Sequence, residues 1–176
     1  MRVIAGKFRS RRLKSVPGLA VRPTPDRLRE TLFNVLAPEI EGSVFLDAYA
    51  GSGSVAIEAL SRGARHVFLF ERNPAALVII RENLESLDAV NMATVIRGNA
   101  LTLLTRHPAD IVFIDPPYNQ VREYMAALDV LGESAPPLVI AQHDSHVKLP
   151  DRAGRLQQTR SIRQGSNLLT FFRPAH

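Results

Sequence analysis

The chain has 176 residues, 45% of them hydrophobic and 22% charged, with 22 Lys+Arg against 17 Asp+Glu for a net charge of +5. That length and balance suit one globular domain and exclude wholesale disorder, collagen and coiled coil. The absence of cysteine excludes disulfides, thiolate metal sites and a cysteine nucleophile; the longest apolar runs fall far short of the roughly 20 residues of a membrane span; and the N-terminus has Arg2 but no apolar stretch like that of a signal peptide, so a cytoplasmic location is expected.

The charge is uneven. Residues 1–29 carry nine basic residues and one acid, a local +8, and the remaining 147 residues carry −3. Arg2, Lys7, Arg9, Arg11, Arg12, Lys14 and Arg22 form the basic segment, a pattern that suits phosphate backbones because each neutralised phosphate releases condensed counterions. A solvated tail is the plain alternative. Val3, Ile4, Phe8, Leu13 and Val16 interleave the charges, however, and predict a short basic hairpin with Gly6 near its turn. We therefore expect an arm over 1–22, for RNA contact, and a main domain over 23–176.

Thr24-Pro25-Asp26 signals a helix start, with Thr24 as cap and Pro25 at the first helical position. The helix is predicted to run to about Leu36 and stop before Pro38. Its apolar face is Leu28, Leu32, Phe33, Val35 and Leu36, with Arg27 and Arg29 pointing elsewhere. Beyond it, strands and helices alternate. Ser43–Asp47 is a buried-type strand; 53–62 is a helix with Val55, Ile57, Ala59 and Leu60 on one face. His66–Glu71 is the second strand, and Pro74 starts a helix over 74–87. Thr94–Ile96 is a weaker strand before a short helix near 100–106. Asp110–Asp115 is the fourth, broken by Pro116-Pro117. A helix over 120–131 and a strand at Leu138–Ala141 follow. Runs that are apolar throughout point to parallel strands covered on both faces. Arg155–Ile162 and Leu168–Phe172 flank Gln164-Gly165-Ser166-Asn167 and predict a terminal antiparallel hairpin. The expected fold is α/β.

Four features carry chemistry, all at strand ends. Asp47-Ala48-Tyr49-Ala50-Gly51-Ser52-Gly53 joins the first strand to its helix. Glycines there let the backbone approach a ligand, although a bare tight turn needs them too. Gly51, Gly53 and Ala56 also fit the GxGxxA nucleotide fingerprint. Glu71, 20 residues after Gly51, suits two ribose hydroxyls. Gly98-Asn99-Ala100 offers a polar contact to an adenine edge, or a turn and helix cap. Asp115-Pro116-Pro117-Tyr118 is the most informative. Two prolines remove two N–H donors and leave carbonyls and a carboxylate, a surface that accepts both hydrogens of an exocyclic amino group. Held so, the nitrogen lone pair can leave conjugation and attack a methyl sulfonium in line. Tyr118 supplies a face on which a base can stack.

The pattern D-x-x-A-G-S-G, an acid ending the second strand, and D-P-P-Y after the fourth resemble S-adenosylmethionine-dependent amino-methyltransferases. Arg22-Pro-Thr-Pro-Asp-Arg-Leu-Arg-Glu-Thr-Leu-Phe-Asn34 and Glu58-Ala-Leu-Ser-Arg-Gly-Ala64 narrow the likeness to the bacterial small-subunit (16S) rRNA guanine-N2 methyltransferase family. It is dense from residue 1 to about 119. The resemblance implies a Rossmann-like, mostly parallel seven-stranded sheet with helices on both faces. It implies that Asp47, Ala50, Gly51, Ser52, Gly53 and Glu71 hold S-adenosylmethionine, with Asn99 and Ala100 near its adenine and Arg27 and Thr31 near its methionine end. Asp115 to Tyr118 would hold the guanine. The chain departs from the family in having Ala-Gly-Lys at 5–7 for a Gly-Gly pair, Asn99 for Asp, Gln142 for Glu, and Gln164–Asn167 for Tyr-Gly-Asp-Thr.

The expected activity is therefore methyl transfer from S-adenosylmethionine to a guanine amino group of 16S rRNA, free or in a partly assembled subunit. Holding sulfonium carbon and nitrogen about 3–3.5 Å apart supplies much of the rate, and Asp115 positions the amino group and accepts or relays its proton. A monomer without metal is expected; His143 and His146, flanking Asp144, make only a weak case for a metal site. Three alternatives remain. A DNA adenine amino-methyltransferase shares the tetrapeptide, an NAD-dependent oxidoreductase shares the glycines and Glu71, and a non-catalytic RNA-binding assembly factor shares the basic arm.

Overall fold

The computed structural model describes residues 1–18, 24–117 and 120–176. After the arm, the chain runs α1 (Asp26–Ile40), β1 (Val44–Asp47), α2 (Ser54–Ser61), β2 (His66–Glu71) and α3 (Pro74–Ser86). Next come β3 (Ala93–Arg97), α4 (Ala100–Leu103), β4 (Ile111–Ile114), α5 (Val121–Ser134) and β5 (Leu138–Asp144). The chain closes with β6 (Arg152–Ala153), β7 (Leu156–Gln164) and β8 (Asn167–Pro174). No helix among the described residues is long and apolar enough to cross a membrane.

The strands form one sheet in the order β3-β2-β1-β4-β5-β8-β7-β6. The first five are mutually parallel, and β8 returns antiparallel against β5. Among the described residues eight strands stand where seven were expected, because two residues, Arg152 and Ala153, add a short edge strand to β7. Parallel strands need crossovers, and the helices that make them cover both faces. One core, beneath α1, α2 and α3, collects Phe45, Phe113 and Ile140; the other, beneath α4 and α5, collects Leu46, Ile114 and Ala141. Strand order reverses between β1 and β4, and a crevice opens outside the carboxyl ends of the strands at such a switch.

Several local expectations change. Helix α1 continues through Pro38 to Ile40. Pro38 sits in the last turn, where its missing N–H costs a single bond, and buried Leu36 and Ile40 carry the apolar face past it. Thr24 does not cap: Pro25 takes the N-cap position, with no side-chain bond. Arg29 does not point to solvent but is fully buried. Helix α2 is covered on every side, since all eight of its residues are buried. The arm is not a regular hairpin; among its described residues the pairing is one isolated antiparallel bridge, Arg2 to Arg12.

These last three differences share a cause, which is that the arm packs on α2. Val3, Phe8 and Leu13 enter the main core. The Glu58 carboxylate accepts the Ile4 and Ala5 amides at 2.9 and 3.1 Å. The Phe8 amide donates to the Ser61 hydroxyl at 2.9 Å, and the Lys7 amide to the Ser61 carbonyl at 2.7 Å. Gly6 lies so close that a Cβ would sit 1.9 Å from the Ser61 carbonyl oxygen. Its absent side chain serves a close approach to α2, beyond any role in a turn.

Candidate active site

At the crevice the chain leaves β1 through Asp47 and folds back over the sheet edge. The Ala48 amide donates to the Phe113 carbonyl on β4, and the Ala50 amide to the Phe70 carbonyl on β2. The loop thus straddles the switch point. Gly53, at φ +86°, caps α2 in a conformation that L side chains resist, and a Cβ there would press on Leu69 and Ile80. Glu71 and this loop meet: the carboxylate accepts the Gly51 amide at 2.8 Å and the Arg72 and Asn73 amides at 2.9 and 3.0 Å. The oxygen facing Gly51 keeps a lone pair for a further donor. Asn73 caps α3 by accepting from Ala75 and Ala76, with Pro74 next to it.

Asn99 lies one strand further out. The Gly98 amide reaches the Glu71 carbonyl at 3.2 Å, which joins the two loops. The Asn99 side-chain oxygen caps α4 by accepting the Leu101 amide at 2.9 Å, so its amide nitrogen is what remains for a ligand. Ala100 is buried beneath it. Arg27 is exposed on α1, and the Thr31 hydroxyl lies 3.0 Å from the Arg27 carbonyl and 3.1 Å from Gln164 Oε1. Thr31 thus meets the β7–β8 turn at Gln164.

Asp115 follows β4, half-buried, with Pro116 buried and Pro117 exposed. Tyr118 and Arg22, named from the sequence, lie outside the described residues. Burial pushes the Asp115 carboxyl up to about 7. Asp47 is pushed up to about 8, first by burial, with the Tyr49 amide opposing and the charges of Asp115 and Glu71 adding to the rise. Three carboxyl groups therefore converge on one sheet edge, where Asp47 is repelled by the other two. Such an arrangement attracts cations and hydrogen-bond donors.

The basic residues of the arm divide. The side chains of Arg2, Lys7, Arg9 and Arg12 are exposed, and the Lys7 ammonium lies 5.5 Å from the Phe8 ring centre. Arg11 donates to the Ser86 carbonyl at 2.6 Å, and Lys14 pairs with Glu82 at 3.0 Å. His143 engages Thr170 at 2.7 Å and the Asp144 carbonyl at 3.0 Å, while His146 engages the Asp144 carboxylate at 2.7 Å.

Sequence reasoning missed the residues that connect arm to crevice. Asn83 of α3, buried, accepts the Lys14 amide at 2.7 Å and donates to the Lys14 and Ser52 carbonyls at 3.1 and 3.0 Å. It ties the arm to the glycine loop with one side chain. Glu58 pairs with Arg62 at 2.9 Å and with Arg29 at 3.6 Å, and Arg29 also donates to the Arg2 carbonyl at 2.7 Å. The signal was present, since Asn83 sits three residues after Ile80 at core spacing and Glu58 interrupts the otherwise apolar run Val55–Leu60.

Residues 1–173 match the family model described as conserved hypothetical protein 95. The Bacillus subtilis (strain 168) protein YlbH, whose given name refers to rRNA methyltransfer, is 36% identical over 94% of both chains. Ribosomal RNA small subunit methyltransferase D of Escherichia coli (strain K12) is 43% identical over 68% of this chain and 61% of its own length. A solved Escherichia coli structure, whose description is of a methyltransferase yhhF, superposes with a TM-score of 0.86 at 32% identity, covering 99% of this chain and 97% of the other.

Proposed function

Because the chain belongs to the conserved hypothetical protein 95 family, a family of bacterial small-subunit rRNA methyltransferases, we propose that it transfers a methyl group from S-adenosylmethionine to the N2 amino group of a guanine in 16S rRNA. The observation that carries this reading is the meeting of Asp115-Pro116-Pro117 with the Asp47–Gly53 loop and Glu71 at one sheet edge. The residues fit the donor. Its sulfonium is a cation, and the edge holds three carboxyl groups, two of them with pKa values raised chiefly by burial. The second lone pair of Glu71 suits a ribose hydroxyl, and the loop backbone comes close enough for a nucleoside. When bound there, S-adenosylmethionine supplies an electrophilic methyl group.

The chain's own residues do the rest. Asp115 and the Pro116 carbonyl accept the two amino hydrogens, which turns the nitrogen lone pair out of conjugation. Asp115 takes or relays the proton released by the methylated nitrogen. A group poised at about 7 exchanges a proton readily near neutrality. The target base is unpaired or flipped out, since a paired amino group cannot reach the edge. Arg2, Lys7, Arg9 and Arg12 hold RNA phosphates, and α2 and α3 fix the arm that carries them.

Three measurements test this. Calorimetry should find binding of S-adenosylhomocysteine and none of NAD; the reverse would favour an oxidoreductase. Mass-spectrometric mapping of rRNA in cells lacking the protein should show one N2-methylguanine missing from 16S rRNA. An unchanged map would refute the substrate. Asp115→Ala should abolish transfer while leaving S-adenosylhomocysteine affinity within about threefold.

A further inference from the structure

Side chains alternate along β5. Leu138 and Ile140 join the core beneath α1 and α2, while Val139 and Ala141 join the one beneath α4 and α5. Gln142 therefore belongs on the α1 face. By the same alternation Phe45 carries Asp47, and Phe113 carries Asp115, to that face. Strands β4 and β5 are in register through Ile114 and Ala141, so Asp115 and Gln142, the next residues of each, are lateral neighbours at the carboxyl edge.

Gln142 is only 7% exposed, and its Oε1 is buried with no hydrogen-bond partner among the described residues. Its backbone is fixed, since the Tyr124 hydroxyl donates to the Gln142 carbonyl at 2.5 Å. A buried acceptor left unpaired is costly, and such groups concentrate where a ligand supplies the missing donor.

We propose that Gln142 is a specificity-determining residue, its Oε1 accepting the ring N1–H of the target guanine while Asp115 and Pro116 hold the amino group. This rests on the methyltransferase reading above and deepens it. Guanine is the one base whose exocyclic amino group adjoins a ring N–H. In adenine and cytosine the adjoining ring nitrogen carries a lone pair, which would face Oε1 without a proton between them. An acceptor beside the amino-holding carboxylate thus favours guanine and disfavours adenine.

The test uses the full chain and an RNA fragment containing the mapped target, with either guanine or 2-aminopurine at that position. 2-Aminopurine keeps the amino group and lacks the N1–H. Wild-type protein should prefer guanine by about 10- to 100-fold in kcat/KM. Gln142→Met should lower kcat/KM on the guanine RNA by a similar factor and reduce the preference to within about threefold, with S-adenosylhomocysteine affinity unchanged. Gln142→Glu, which keeps the acceptor, should restore the preference. If Gln142→Met retains the wild-type preference, whatever its rate, the inference is wrong, because a merely structural glutamine would slow both RNAs alike. If Gln142→Met fails to bind S-adenosylhomocysteine, the preference of Gln142→Glu decides, and its loss overturns the inference. A failure to map any guanine in rRNA refutes the underlying reading instead.

Discussion

Two charge clusters, one where the arm packs on α2 and one at the crevice, are built on opposite plans. At the arm, Arg29 and Glu58 are fully buried, with Arg62 and Asp26 against them, and opposite charges alternate through the group. At the crevice, Asp47, Asp115 and Glu71 share one sign, and neither of the first two is neutralised by a nearby cation in the balance that sets its pKa. The first cluster is closed in charge, since each charge faces an opposite one, although Arg29 Nε and Nη1 have no hydrogen-bond partner among the described residues. The second is open, and its repulsion is relieved when a cation or a donor arrives from outside. The difference teaches how to separate structural from functional charge: the structural set sums towards neutrality, and the functional set is left wanting a ligand.

The sharpest way to break that comparison is to delete one acid from each cluster. Glu58→Ala should destabilise the protein by about 3–5 kcal/mol in urea unfolding, because it strands a buried guanidinium and removes the acceptor of two arm amides. Asp47→Asn should act in the opposite direction. Its carboxyl titrates near 3.8 when unfolded and at about 8 when folded, so the folded state holds the proton longer. Stability is then lost as pH rises from about 4 to about 8, and none of that loss is present below the unfolded value. Asp47→Asn should therefore be more stable than wild type at pH 8, by on the order of 2–4 kcal/mol, and equal to it near pH 3. A wild-type stability that rises steadily from pH 4 to 8, with no gain in Asp47→Asn, would break the account of the open cluster.

A smaller effect tests what the closed cluster holds. Gly6→Ala would drive a methyl into the Ser61 carbonyl and fix an unfavourable φ of +86°. We expect a loss of about 1–3 kcal/mol, with the arm lifting from α2 rather than the sheet unfolding. Hydrogen exchange should then speed at the Val3, Lys7 and Phe8 amides and stay slow in β1 and β4. Uniform acceleration would show that arm and sheet open together.

How much of this was legible in the sequence follows from the range of the interactions. The parallel sheet was legible because apolar runs such as HVFLFE and DIVFID state their burial locally, and the observed β2 and β4 fall within one residue of those runs. The meeting of the Asp47 loop, Glu71 and Asp115 was legible because topology alone brings strand ends to one edge. Pro38 was misread because a proline's cost depends on where the helix ends, and tertiary packing at Ile40 sets that end. The closed cluster was hidden for a different reason. Glu58 and Asn83 have ordinary polar side chains, and what makes them matter is an arm 53 to 69 residues away in sequence that no local pattern announces. Gln142 read only as a departure from relatives until its neighbours showed an unpaired acceptor.

The smallest expected effect bears on the division between the two clusters. Arg9 and Arg12 are exposed, whereas Arg11 holds the Ser86 carbonyl and Lys14 holds Glu82. Arg9→Gln with Arg12→Gln should thus leave stability within about 0.5 kcal/mol, because no buried partner is lost. S-adenosylhomocysteine affinity should stay within about twofold, because the Lys14 backbone remains bonded to Asn83 and the loop is undisturbed. RNA affinity should fall, and the slope of its logarithm against the logarithm of salt should flatten by about 0.7 for each phosphate contact removed from a single strand. Adding Arg11→Gln should then cost stability as well, since that guanidinium pins the arm to α3. If the double and the triple variants prove equally stable, the arm is held by its backbone alone, and charge on its surface serves only the RNA.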